Sequence, residues 1–296
     1  MKKLLLAVAF ISVLFLGSCN KDEVPEKIDT TQKKYAVNFT ADDFEVDTKG
    51  FSAQASDSIS YFVDQLDYVL YNQNGRLVKR KSQTAISHGK SFGNFQDSLP
   101  KGIYTACFVG SRLDIYEING IDSLNTASLS FPYSAASSAV DLFLRNVTFT
   151  VDTSVTQNVN MQRSVGKLVV KITDLVPTNV EFITIVLSNE ANTVLLKNLS
   201  KSTFSSKSIT ARDSQYDANT WHMNVLNTGT PFNVIIKGYT VDNKLVAEKT
   251  VPNVQFANNK VTTLTGKLFD KIATSANPGF SVIINGNWST GSTINF

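Results

Sequence analysis

No stretch of this chain carries apolar residues at helical spacing over three turns, whereas short alternating or continuous apolar runs recur along its length, divided by Asn, Gly, Asp and Pro. That pattern argues against a helical body and predicts an all-β fold of short strands. Tyr35-Ala36-Val37-Asn38-Phe39 alternates as a strand should, and Phe44-Glu45-Val46-Asp47 begins a second one. Leu66 to Tyr71 and Arg76 to Lys79 flank Asn72-Gln73-Asn74-Gly75, a hairpin signal, because Asn and Gly both accept positive φ at little cost. Pro100-Lys101-Gly102 turns the chain into a strand at Ile103 to Val109, and the Ser-, Asn- and Ala-rich stretch from Leu113 to Ser138 reads as an excursion at the rim of a sheet. A second series starts near Met161-Gln162-Arg163 with Gly166 to Ile172. It continues with a hairpin of Phe182 to Leu187 and Val194 to Lys197 about a polar Ser188 to Asn192 turn, and then with strands at Pro231 to Ile236, Leu245 to Glu248, Val261 to Phe269 and Phe280 to Asn285. The expected architecture is two β-sandwiches in tandem, at residues 35–159 and 160–296.

The first residues have a different character. Lys2 and Lys3 precede an apolar run, Leu4 to Leu16, that is too short to span a bilayer as a lasting helix. Leu16-Gly17-Ser18-Cys19 resembles the lipobox of bacterial lipoproteins, which implies a signal peptide at residues 1–18 cut between Ser18 and Cys19, with a lipid anchor on the Cys19 thiol. Two or three acyl chains such as palmitate on one cysteine hold a protein to a membrane far more firmly than one. Residues 19–34 carry the lipidated Cys19 and then a charged stretch with Pro25 and no apolar period, the description of a flexible tether. Asn20-Lys21-Asp22-Glu23 resembles the signals that send lipoproteins of the Bacteroidetes to the outer face of the outer membrane, so the expected location is the cell surface.

Length and charge narrow the function. Even without its first 18 residues the 296-residue chain is long enough for two ordinary domains of about 100–150 residues each. The 28 basic and 25 acidic side chains leave a formal charge of +3, two units of which sit on Lys2 and Lys3, so nucleic acid is not an expected partner. Besides Cys19 the only cysteine is Cys107, inside a strand-like run, where a buried structural thiol is expected. His88 and His222 have no second ligand at metal spacing, and no nucleophile elbow, phosphate loop or dinucleotide fingerprint occurs, so neither a metal, a cofactor nor an enzymatic activity is expected. Asp42, Asp43, Asp64 and Asp67 are the acids that could pair as glycosidase carboxylates, and a solvated sheet rim accounts for them better. Trp221 and Trp288 could stack on sugar rings, although their strand-like flanks favour packing.

Taken together, the lipoprotein signal, the Val37 to Phe39 strand, the Leu66 to Leu77 hairpin, Leu99-Pro100-Lys101-Gly102-Ile103-Tyr104, Met161 to Lys167 and Leu264-Thr265-Gly266-Lys267-Leu268 resemble the fimbrillin superfamily of the Bacteroidetes, its major and minor fimbrillins and their anchor subunits. The resemblance implies transthyretin-like β-sandwiches. It also implies a subunit that anchors or joins a fimbria by β-strand complementation, with other fimbrial subunits, the outer membrane and a host or bacterial surface receptor as partners. In that superfamily a protease removes an N-terminal strand, cutting after an arginine. Here no arginine precedes Arg76, and Lys49 stands at the comparable place as the candidate processing site. An uncut chain would keep both lipid and first strand, which suits an anchor. The alternative is a surface glycan-binding lipoprotein of an outer-membrane uptake system, with Trp221 and Trp288 as its ring faces.

Overall fold

Seventeen strands and three short helical turns build the residues described by the computed structural model, which are 32–45, 59–112, 116–131, 141–212, 219–270 and 280–285. The all-β expectation holds. In chain order the strands are β1 (Lys34–Glu45), β2 (Gln65–Asn72), β3 (Leu77–Thr84), β4 (Asn94–Pro100), β5 (Gly102–Ser111), β6 (Glu117–Asn119), β7 (Ser128–Ser130), β8 (Leu142–Val151) and β9 (Val155–Arg163). There follow β10 (Gly166–Ile172), β11 (Phe182–Leu195), β12 (Lys201–Arg212), β13 (Thr220–Val225), β14 (Phe232–Tyr239), β15 (Leu245–Val254), β16 (Val261–Gly266) and β17 (Phe280–Asn285).

The first sheet runs β3-β2-β5-β8-β9-β1-β4. Its halves meet at only two residue pairs, Phe143↔Arg163 and Leu144↔Gln162, and there the sheet folds over on itself. Alternate positions Leu66, Tyr68 and Leu70 of β2, Tyr104, Ala106 and Phe108 of β5, and Phe143, Val147 and Phe149 of β8 then face Val37 and Phe39 of β1, Phe95 of β4 and Met161 of β9 in one core. The two ends of the sheet come together without backbone pairing. Lys79 of β3 reaches Asp97 of β4 at 2.5 Å, the Lys81 ammonium donates to the Gln96 carbonyl, and Gln83 donates to the Asn94 carbonyl at 2.8 Å while accepting from the Gly93 amide. Side chains thus cover backbone that two sheet edges would otherwise expose.

A second core lies between two further sheets, β13-β10-β16-β17 and β15-β14-β11-β7-β6, with β12 on the free side of β11. The third core explains why β2 and β5 read as unbroken apolar runs. Val69, Tyr71, Cys107, Val109, Leu142 and Leu144 form the outer face of the first sheet, and they are covered by Ala127, Leu129, Val165, Ala191, Val194 and Leu226. Strands buried on both faces lose their polar alternation.

Three local expectations change. The stretch read as a rim excursion contains β6 and β7, and β7 pairs with β11 through Leu129↔Val194, so Ala127 and Leu129 enter the third core instead of skirting a sheet. The expected turn at Ser188 to Asn192 is a bulge: β11 continues through it because Ala191 and Val194 are buried on the far side, and the chain reverses at 196–200, with Leu199 at φ 58°, into β12. At Asn72-Gln73-Asn74-Gly75 only Gly75 adopts positive φ, at 71°, while the Asn72 carboxamide accepts from the amides of Asn74 and Arg76 at 3.0 Å each. This is a type I turn with a glycine bulge, not the mirror-image turn in which both residues go left-handed.

Candidate functional site

Strand β1 is held on both sides. It pairs antiparallel with β4 from Lys34↔Pro100 to Thr40↔Asn94, and parallel with β9 from Val37↔Val155 to Glu45↔Gln162, with a bulge between Thr40 and Asp43. The period-two pattern turns Val37, Phe39 and Ala41 into the core, each fully or almost fully buried, and leaves Ala36 outside. Phe39 is the hub, with ring centroids 5.1 Å from Phe149, 5.4 Å from Phe108 and 6.1 Å from Tyr68. Beyond the bulge Phe44 stacks on Phe62 at 5.4 Å and meets Phe143 edge-on at 5.0 Å. Gly93 lets β4 approach: its carbonyl accepts from the Ala41 amide at 2.9 Å, its φ is +90°, and a Cβ there would stand 2.8 Å from Ile59 and 3.0 Å from the Ala41 carbonyl oxygen.

Two buried ionisable groups join parts of the fold, one where β9 passes into β10 and one on β11. The Arg163 guanidinium, 7% exposed, donates to both Asp141 oxygens at 2.8 and 3.0 Å and to the Asn259 side-chain oxygen at 2.9 Å, and it lies 4.9 Å over the Phe143 ring. Asn259, at φ 56°, also donates its amide to the Val165 carbonyl at 2.8 Å. On the bulge of β11, one Glu190 oxygen accepts from the amides of Leu226 at 2.7 Å, Asn227 at 2.9 Å and Ala191 at 3.2 Å. Burial pushes the Glu190 carboxyl up to about 7, against those amides and Lys207, which favour the charged form.

That shift has a pH signature. The folded carboxyl holds its proton up to about 7 whereas the unfolded one releases it near 4.5, so stability from this group is full below 4.5 and is lost as pH rises through 7. Glu190→Gln keeps the acceptor oxygen and removes the charge. Urea unfolding at pH 5 and pH 8 is expected to show the variant gaining about 2 kcal/mol on the wild type between the two. An equal difference at both pH values would mean that Glu190 does not titrate in that window.

The profile of the fimbrillin-A associated anchor proteins Mfa1 and Mfa2 matches residues 27–289, which include β1, both buried clamps and every sheet. The chain belongs to that family. No curated protein matches its sequence. Among solved structures it is similar to the fimbrial anchor protein Mfa2 of Porphyromonas gingivalis, at 13% identity and a TM-score of 0.53 over 86% of this chain and 98% of the other. A candidate polysaccharide-binding protein of Bacteroides thetaiotaomicron gives 13% and 0.54 over 80% and 92%, and a candidate adhesin of the same species gives 10% and 0.54 over 89% and 98%. At such identities the likeness speaks for the fold alone.

For this member of the anchor-protein family the residues singled out from sequence fall in three groups. Ser18, Cys19, Lys49 and Trp288 lie outside the described residues. Trp221 is 3% exposed in the second core and offers no ring face to a sugar. Asp67 is not on a solvated rim: it is fully buried, paired with Arg80 at 3.0 Å and hydrogen-bonded by Gln65, Ser82 and Tyr116. A carboxyl group locked in that way is a structural element of the fold, while Asp64 is exposed. His88 is half-buried on a four-residue helix, and burial followed by the charges of Lys167 and Lys171 lowers the His222 pKa. Among the described residues no three His, Cys, Asp or Glu side chains could hold a metal. Burial pushes the Cys107 thiol up to about 12, so it is inert at neutral pH. Sequence reading missed Asp141, Asn259 and Glu190 as a set. The usable signal was a lone acid amid the apolar residues of β11.

Proposed function

We propose that this protein is a cell-surface fimbrial subunit of the anchoring kind, a structural and adhesive protein rather than an enzyme, tethered to the outer membrane by lipid on Cys19 after cleavage between Ser18 and Cys19. The observation that carries the reading is β1, an integral core strand with partners on both sides. A chain that keeps β1 is closed to a donor strand in that groove. A chain cut after Lys49 would lose residues 34–45 and open a slot lined by Phe108, Phe149 and Tyr68 that only another strand of alternating apolar residues could fill. With no arginine before Arg76, retention is the favoured state, and other fimbrial subunits are then engaged through surfaces other than the β1 slot. The two halves at 35–159 and 160–296 act as tandem transthyretin-like sandwiches, with β6 and β7 of the first extending the sheet of the second. A host or bacterial surface receptor completes the set of partners.

The test is the N-terminus of the protein on cells. The expected result is labelled palmitate in the protein and an acylated Cys19 peptide continuous with residues 20–60, with Cys19→Ala releasing the protein from the membrane fraction. A new N-terminus at Gly50 on surface protein would instead make this a polymerising subunit, and absence of label in the wild type would remove the anchor.

A further inference from the structure

Connections that lie far apart in the chain meet at one corner of the fold: the β9–β10 junction at Ser164, the start of β12 at Lys201, the β13–β14 connection at Thr228 and the β15–β16 turn at Asn258. Lys201 joins them. Its ammonium donates to the Ser164 hydroxyl oxygen at 2.9 Å and to the Asn258 side-chain oxygen at 3.4 Å, and the Thr228 hydroxyl donates to that same oxygen at 2.7 Å. The corner is braced from behind. Ser164 is 5% exposed and its amide donates to the Leu142 carbonyl at 2.7 Å. The turn carrying Asn258 is pinned by the Asn259 amide on the Val165 carbonyl at 2.8 Å and by the Lys167 amide on the Lys260 carbonyl at 2.9 Å. Gly166 permits that approach, because a Cβ there would stand 2.8 Å from the Ala257 carbonyl oxygen. Asn258 itself is exposed, so the corner opens to solvent on its side.

The charge in this corner is uncompensated. Lys201 is half-buried, yet both of its partners are neutral, and among the described residues no carboxylate pairs with it. Asp141, the acid beside the neighbouring Arg163, is engaged by that guanidinium on both oxygens. Burial lowers the Lys201 ammonium to about 8, with no acid acting against it. We propose that this corner binds a carboxylate. Three donors point to that ligand: the third N–H of Lys201, the Ser164 hydroxyl proton and the Asn258 carboxamide NH2, the last two given to no acceptor among the described residues. A carboxylate is planar, carries one charge and only accepts, so one of them matches one cation and two neutral donors. A phosphate dianion would keep an unmatched charge, and a neutral ligand would leave the ammonium as desolvated as before. A small organic acid and an acidic side chain of a neighbouring subunit present the same two oxygens.

The experiment is titration of the full mature chain with sodium acetate, followed by NMR, against sodium chloride at matched ionic strength. Saturable shifts centred on residues 163–165, 201 and 257–259 are expected, with a Kd on the order of 10 mM. Lys201→Met keeps the apolar stem and removes the charge. It is expected to weaken acetate binding at least tenfold, while the melting temperature without acetate stays level or rises, because an unpaired half-buried charge is gone. Asn258→Asp places a carboxylate in the corner from within and is expected to abolish acetate binding and to raise the Lys201 pKa. A blocked tripeptide with a central glutamate separates the sources: tighter binding than acetate assigns the site to an acidic side chain, and equal or weaker binding assigns it to a small acid. No saturation beyond the chloride reference, unchanged affinity in Lys201→Met, or inorganic phosphate binding as tightly as acetate would each overturn the proposal. The inference is independent of lipid attachment and of β1 retention, so its failure leaves the fimbrial reading standing.

Discussion

Phe39→Ala is expected to destabilise the protein by about 3–5 kcal/mol, the range for removing a large aromatic from a closed core. The ring is 1% exposed and touches three others, one from each of β2, β5 and β8, so no single neighbour can collapse into the space. For a unit of this size that corresponds to a fall in Tm on the order of 10 °C, readable by circular dichroism or scanning calorimetry. Asn38→Ala, on the other face of the same strand and half-exposed, is the control and is expected to shift stability by less than about 0.5 kcal/mol. If Phe39→Ala melted within about 1 kcal/mol of the wild type, β1 would be an applied strand and not a core one, and the argument that its retention closes the fold would fail.

Arg163→Ala comes next, at about 3 kcal/mol or more, because it leaves the Asp141 carboxylate, 22% exposed at its side chain, and the Asn259 oxygen without their donor at the junction of β9 and β10. Arg163→Lys is expected to recover part of that loss, since an ammonium restores the charge but not the two-pronged contact. Combining Arg163→Met with Asp141→Asn is expected to be milder than the sum of the single changes by about 1–3 kcal/mol, as for groups within one network. Strict additivity in denaturant unfolding would show the clamp to be incidental.

These two residues also mark what sequence reading can reach. Phe39 lay in an alternating run whose strand character and inward face could be read directly, because a strand's period of two is a local property. Arg163 stood within a recognised motif, yet its partners are 22 residues back and 96 residues ahead, and no local pattern places Asp141 and Asn259 beside it. Asp67 misled for a similar reason. An aspartate in an exposed-looking run gave no sign that Arg80, Ser82 and Tyr116 would close around it.

What sequence alone determined was the class of structure and the strands that read as alternating or continuous apolar runs: β1, β2, β5, β10, β14 and most of β16, with the turn residues between several of them. Those follow from local apolar patterning, positive-φ residues and proline, which act within a few positions. Tertiary structure decided everything that depends on a second face: that β2 and β5 are covered on both sides, that the polar stretch in β11 is a bulge, and that β7 crosses to another sheet. Burial on the far side of a strand is set by elements distant in the chain. Its energy outweighed the local preference for a turn at Ser188 to Asn192, because Ala191 and Val194 could be buried only if the strand ran on.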